Sequence, residues 1–163
     1  MAVGYQLSAI SLLILADSRK PIAMSTPFHT SRLVEFADTD MAGIMHFSSY
    51  FRYMEAAEHE LLRSLGFSVY SEIDGDVVSF PRVAASCEFK SPARCEDVLD
   101  IDVTVRRVGT KSVTYGFEFS QQGREVATGE MTSVCCRVPH GEAPISIPIP
   151  DVVADKLRKL AAN

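Results

Sequence analysis

Two carboxylates, Asp38 and Asp40, stand one residue apart in the stretch Glu35-Phe36-Ala37-Asp38-Thr39-Asp40-Met41-Ala42-Gly43-Ile44-Met45-His46. A helical pattern begins immediately afterwards, at Phe47. That order places a charged side chain opposite the free backbone N–H groups of a helix start. A carboxylate so placed can attack a polarised carbonyl or activate water against it. The N–H groups, reinforced by the helix dipole, would stabilise the developing oxyanion, and one such donor is worth about 3 kcal/mol. Loop and capping aspartates have the same composition, so the residue types alone leave both roles open.

Other residues join this candidate site. Gly43 supplies a backbone shape that other residues resist. His46 either hydrogen-bonds near the reacting carbonyl or holds the loop, and Tyr50 either packs in the core or lines a ligand pocket. Glu55 and Glu58 fall mid-helix, where a glutamate facing a sheet or a partner must be paired or have a raised pKa. The alternative for Glu55 is a solvated face with an ion pair to Arg52 or His59. Arg94, Arg106, Arg107, Lys111 and Ser112 lie in or beside turns, where they would suit a polyanion or stand as ordinary solvated residues. No glycine-rich phosphate loop and no metal-ligand spacing is present, so neither a metal nor a separate cofactor is expected.

The elements that must position these residues follow from periodicity. Phe47, Tyr50, Phe51, Met54, Ala57, Leu61, Leu62 and Leu65 recur at spacings of three and four, which predicts a helix from Phe47 to Leu65 stopped by Gly66. Ser31 to Phe36 reads as a short strand before it. Asp74-Gly75-Asp76 is a turn, and four strand-like runs follow: Val83–Lys90, Val98–Val108, Ser112–Gln121 and Glu125–Val138. Short connections through Gly109-Thr110 and Gln121-Gln122-Gly123 make them an antiparallel meander. A proline-rich passage from Pro144 to Pro150 precedes a short terminal helix, Val152 to Leu160. The expected class is α+β, an antiparallel sheet of five to six strands wrapped around one long helix.

Bulk properties narrow the function. The chain has 163 residues, enough for one domain with a sizeable core, and 47% are hydrophobic. A net charge of -5, from 21 acidic and 16 basic residues, argues against a nucleic-acid binder. Cys87, Cys95, Cys135 and Cys136 form no C-x-x-C pair and read as reduced cysteines of a cytoplasmic protein. Residues 1–25 read as an extension outside the domain at 26–163, with Met24 as the expected native start. Their apolar run, Ala9 to Ala16, is too short to insert across a membrane and lacks a basic residue before it.

Phe36-Ala37-Asp38-Thr39-Asp40-Met41-Ala42-Gly43-Ile44, followed by Tyr50-Phe51-Arg52-Tyr53-Met54-Glu55-Ala56-Ala57, resembles the hot-dog-fold acyl-CoA thioesterases. The likeness is to the 4-hydroxybenzoyl-CoA thioesterase group and the Tol-Pal-associated group, and it runs from about Thr30 to Val138. It implies a hot-dog fold acting as a homodimer or homotetramer, with active sites at the interface. It implies Asp40 as nucleophile or general base, the Phe47 N–H as oxyanion donor, and Glu55 or Glu58 as the alternative base. Gly43, His46 and Tyr50 become substrate-binding residues, and Arg94, Arg107, Lys111 and Ser112 coenzyme A contacts, the coenzyme being part of the substrate. Many Tol-Pal-type relatives carry a histidine at the position of Phe47, whereas here it is one residue earlier, at His46. An acyl carrier protein thioester is the alternative substrate, and a non-catalytic acyl-thioester binder is the alternative function. A dehydratase on the same fold would need a histidine setting that none of His29, His46, His59 or His140 provides.

Overall fold

The strict alternation of the late strands becomes a five-stranded antiparallel sheet in the computed structural model, which describes residues 26–141 and 143–162. The expected extension at 1–25 lies outside the described residues. In chain order the elements are β1 (Phe28–Leu33), a 3-10 turn (Phe36–Asp38), α1 (Phe47–Ser64), β2 (Tyr70–Ile73), β3 (Asp76–Ser79), β4 (Arg82–Phe89) and β5 (Val98–Val108). After these come β6 (Ser112–Gln121), β7 (Arg124–Val134), β8 (Cys136–Arg137), β9 (Ile145–Ser146) and α2 (Asp151–Ala162).

The main sheet runs β1-β5-β6-β7-β4, so β1 and β4 are its edges. Leu99, Ile101, Val103 and Val105 on β5 and Val113, Tyr115, Phe117 and Phe119 on β6 turn one apolar face inward. Helix α1 lies on that face and buries Tyr50, Tyr53, Met54, Ala57, Leu61 and Leu62. The approach is tightest at Gly129 of β7, where a Cβ would collide with the Met54 sulfur and stand 3.2 Å from the Ser86 carbonyl oxygen. The helix ends as its sequence requires. Gly66 takes φ +85°, its N–H donates to Arg63, and Phe67 N–H donates to Leu62 at 2.9 Å.

The structure departs from the sequence reading in several places, beginning with strand order: β4, the first of the four expected meander runs, pairs with β7 at the sheet edge and not with β5, so only β5, β6 and β7 form a meander. The first strand is Phe28–Leu33 rather than Ser31–Phe36. Residues 36–38 turn instead, because Asp38 and Glu35 cap each other: Asp38 N–H donates to the Glu35 carbonyl and Glu35 N–H to the Asp38 carboxylate. The last long strand breaks at Cys135, whose N–H donates to Lys111 at 2.7 Å. The residues beyond it leave the main sheet and form a second, four-stranded sheet, β2-β3-β8-β9, whose β2–β3 hairpin turns at Asp74 (φ 53°) and Gly75 (φ 84°). Finally, α2 joins α1 as a cover: Val153, Ala154 and Leu157 are fully buried, α2 packs against β5, and Lys156 caps α1 by donating to the Leu65 carbonyl.

Candidate active site

The loop before α1 is a tight turn built on Asp40. Asp40 N–H donates to Ile44 at 2.9 Å, Gly43 N–H donates back to the Asp40 carbonyl at 3.0 Å, and Gly43 adopts φ +71°. Asp40 Oδ1 accepts from Ala42 N–H at 2.8 Å, while Oδ2 has no hydrogen-bond partner among the described residues. Met45 anchors the far side of the turn, buried and donating its N–H to Ala93 at 2.8 Å.

His46 is the N-cap of α1, its Nδ1 accepting from Ser48 N–H at 3.3 Å and lying 2.8 Å from the Ser48 hydroxyl. Ser49 N–H is taken by the His46 carbonyl. The Phe47 N–H is left without an acceptor among the described residues, and no acidic side chain in the first turn competes for it. The His46 ring is thereby committed to the cap and packs on Phe47 with centroids 4.4 Å apart.

Asp40, Ile44, Met45, Phe47, Tyr50, Phe89, Lys90, Ser91 and Pro92 line a cleft of about 510 Å³. Its wall is mainly apolar and aromatic: Tyr50 meets Phe89 edge-on at 5.1 Å and Phe119 at 5.5 Å. Burial pushes the Tyr50 hydroxyl up to about 12, with the nearby Cys87 adding to the shift, so it stays protonated. Asp40 and Phe47, the residue whose N–H is free among the described residues, therefore line one largely apolar cavity. That set can hold an acyl group and act on its carbonyl.

Asp38 does different work. Its carboxylate is buried and accepts from Arg52 at 2.5 Å, from the Tyr53 hydroxyl at 2.6 Å and from Glu35 N–H at 3.1 Å. Its carbonyl accepts from His46 N–H and from the Ser49 hydroxyl. It ties the 3-10 turn, the Asp40 loop and the first two turns of α1 together.

The helix glutamates lie in a separate cluster near the start of β4. Glu58 is fully buried, 2.7 Å from Arg82 Nη2 and 3.4 Å from the Ser133 hydroxyl, and burial raises its pKa despite Arg82. Glu55 is half exposed, 3.5 Å from Arg82 Nη1 and 3.9 Å from His59 Nε2. It lines a second cleft of about 290 Å³ with Phe51, Arg52, Arg82, Ala85 and Met131. Neither glutamate reaches the Asp40 cleft of its own chain.

The cations divide in the same way. Arg94 donates to the Gly43 carbonyl at 3.4 Å, beside the Asp40 turn. Arg107, Lys111 and Ser112 flank the β5–β6 turn, where Lys111 donates to the Ser146 carbonyl and hydroxyl. Ser112 pairs with Val134, whereas Phe89 at the cleft pairs with Ala127. Seven residues of β7 separate these points, about 23 Å at ~3.3 Å per residue. In one chain the expected coenzyme residues at the β5–β6 turn stand at the opposite end of the sheet from Asp40.

The model of the thioesterase-like superfamily matches residues 34–157. The chain belongs to that superfamily. Its hot-dog fold is shared with solved thioesterase structures. One is a Synechocystis 1,4-dihydroxy-2-naphthoyl-CoA thioesterase, with TM-score 0.71 and 26% identity, covering 82% of this chain and 97% of that one. Another is a gentisyl-coenzyme A thioesterase, with TM-score 0.69 and 33% identity, covering 79% and 98%. A 1,4-dihydroxy-2-naphthoyl-CoA hydrolase of Thermosynechococcus vestitus is 30% identical over 122 residues, 74% of this chain and 81% of that protein.

In this thioesterase-like chain the sequence reading missed the floor of the cleft. Phe89, Lys90, Ser91 and Pro92 belong to the end of β4 and the following loop, and no motif singles them out. The signal available was the Lys90-Ser91-Pro92 break itself, which ends an edge strand beside the strand-to-helix loop.

Proposed function

We propose that this protein hydrolyses an aromatic acyl-CoA thioester, its ring bearing hydroxyl groups, to the free acid and coenzyme A, with Asp40 as nucleophile or general base. Its place among the thioesterase-like proteins makes it a thioester hydrolase. The observation that carries the reading is the one cleft lined by Asp40, by Phe47 with its free N–H, and by the Tyr50–Phe89 aromatic wall. In the nucleophilic route Asp40 attacks the thioester carbon, the C–S bond breaks to release coenzyme A thiolate, and water hydrolyses the mixed anhydride. In the general-base route Asp40 takes a proton from the attacking water as its oxygen bonds to the thioester carbon, the C–S bond then breaks, and the proton passes to the departing coenzyme A thiolate. The Phe47 N–H holds the oxyanion in both. The named substrates of the relatives are dihydroxynaphthoyl and gentisyl thioesters, both hydroxylated rings. The aromatic wall favours the 4-hydroxybenzoyl-CoA branch of the family over the Tol-Pal-associated one.

The active unit is a homodimer formed through β4. This edge strand is eight residues long, and Val83, Ala84, Ala85 and Ser86 in it are all exposed with no charge among them, an edge that invites pairing. An isologous antiparallel pairing of β4 with its copy reverses the strand end to end. The partner subunit's Arg107, Lys111 and Ser112 then come to the Asp40 end of the sheet, where they serve coenzyme A phosphates together with Arg94 of the same chain. The four free cysteines support a reducing, cytoplasmic setting, and among the described residues no helix is long and apolar enough to cross a membrane.

A free-thiol assay of the purified protein across aromatic, short-chain and medium-chain acyl-CoAs tests the reading. Highest kcat/KM on hydroxylated aroyl-CoA is the expected result. Preference for aliphatic chains refutes the aromatic assignment, and no thiol release from any substrate refutes hydrolysis. Light scattering tests the dimer: a mass of one 17.9 kDa chain at micromolar concentration removes the two-subunit site.

A further inference from the structure

The polar side chains of the Asp40 cleft are already committed, with one exception. The Ser91 hydroxyl donates to the Glu125 carbonyl at 2.5 Å and accepts from Arg124. Lys90 is paired with Glu88 at 2.9 Å. Asp40 is assigned to the reacting carbon. The Tyr50 hydroxyl remains. It makes no hydrogen bond among the described residues, although its ring is buried and fixed edge-on between Phe89 and Phe119. It is not sealed in the core as the orphaned Tyr115 hydroxyl is, because Tyr50 forms part of the cleft wall.

A rigid phenol with a free O–H on an otherwise apolar wall is a recognition device. The ring contributes shape, and the hydroxyl leaves one hydrogen bond to be made by whatever enters. Position along α1 favours this role over chemistry. Tyr50 is three residues beyond the Phe47 donor, just under one helical turn, so it flanks the acyl group rather than the thioester carbonyl.

We propose that Tyr50 determines specificity by hydrogen-bonding a ring hydroxyl of the acyl group. This rests on the aromatic acyl-CoA reading above. A substrate with that hydroxyl completes the Tyr50 bond, while an unsubstituted ring leaves the phenol desolvated and unpaired. Sites that hydrogen-bond a substrate hydroxyl discriminate far more strongly than sites that sense a methylene.

The test is the ratio of kcat/KM for the best monohydroxybenzoyl-CoA isomer to that for benzoyl-CoA, in the wild type and in Tyr50→Phe. The ratio is expected to exceed about 10 in the wild type and to fall at least tenfold in the variant. The substitution removes an atom with no partner in the protein, so a thermal melt is expected to show an intact fold. The ligand side gives an independent reading in the wild-type enzyme. Replacing the ring hydroxyl by fluorine, a poor hydrogen-bonding group, lowers kcat/KM by a similar factor. A wild-type ratio near 1, an unchanged ratio in Tyr50→Phe, or an equal loss on both substrates overturns the Tyr50 assignment while leaving the thioesterase reading intact. Absence of thiol release from every aroyl-CoA by the wild type refutes the aromatic reading itself, and the Tyr50 role with it.

Discussion

Asp40→Asn separates the chemistry of this site from its architecture. The turn holding Asp40 relies on one side-chain acceptor, the 2.8 Å bond from Ala42 N–H to Oδ1, and on backbone bonds through Gly43 and Ile44. Asparagine keeps an Oδ1 acceptor and leaves the backbone bonds untouched. Weakening a charge-assisted bond to a neutral one at this exposed position costs about 1 kcal/mol of stability at most. Catalysis is affected differently. The oxygen left free, Oδ2, becomes an NH2 group that can neither attack a carbonyl nor accept a proton from water. A positioned base or nucleophile contributes about 10²- to 10⁴-fold, or roughly 2.7 to 5.4 kcal/mol at 1.36 kcal/mol per decade. Because the Phe47 N–H and the aromatic wall are unchanged, substrate binding persists. A steady-state free-thiol assay should therefore show kcat reduced at least ~10²-fold with little change in KM. A melt recorded alongside should show a nearly unchanged Tm. If Asp40→Asn turns over normally while Glu55→Gln is inactive, the chemistry belongs to the helix glutamate, and the second cleft rather than the first is the reaction site.

Two further outcomes follow from the charge distribution. Arg107→Ala and Lys111→Ala should each raise KM for acyl-CoA about 3- to 10-fold with kcat nearly constant, as loss of uniform binding does, and the effect should shrink at high salt. A fall in kcat alone would show that these residues do not serve the coenzyme. His59 lies 2.8 Å from Arg82 Nη2, a donor, so the ring must accept there, and burial followed by Arg82 holds its pKa below the usual value. With Glu55 and Arg63 as its other charged neighbours, the neutral ring contributes stability that is fully present above about pH 6.5 and is lost as pH falls through the lowered folded-state pKa. Thermal melts between pH 5 and 8 should show a steeper acid-side decline for the wild type than for His59→Gln, and parallel curves would refute the coupling.

The elements carrying the site were legible because their signals are local. The spacing of Tyr50, Met54, Ala57 and Leu61 gave α1 to within a residue, and Gly66 ended it by the αL turn its neighbours require. The bounds of β5 and β6 coincide with their period-two patterns. What the sequence concealed is decided by partners far along the chain. Cys135 breaks β7 because Lys111 offers its carbonyl there, and nothing in the run from Glu125 to Val138 records that competition. Tyr53, three residues after Tyr50 and four before Ala57, flanks the apolar stripe, and its buried hydroxyl is taken by Asp38 and the Leu33 carbonyl, partners that no local pattern reveals. Phe47 lies on the stripe but is 59% exposed, because at the first helical position it projects past the end of the sheet into the cleft wall.

The same distinction explains why the site itself was only half readable. Asp40 and Phe47 are seven residues apart, and both line the same cleft. Lys111 is far from Asp40 in both sequence and space, and a single chain gives it no reason to matter to that cleft. The reason lies in β4. In the proposed dimer, a long edge strand whose centre carries only Val83, Ala84, Ala85 and Ser86 would gain its missing hydrogen bonds from a second copy. Two-fold pairing would exchange the two ends of the sheet, so that the end holding Asp40 would meet the end holding Arg107 and Lys111. On the proposed reading, thioester chemistry and coenzyme binding fall at opposite ends of one subunit, and the complete site would need that edge to be paired. Conditions that separate the subunits should then raise KM for acyl-CoA before they unfold the chain, because the Asp40 turn, the His46 cap and the Asp38 bonds are all made within one subunit.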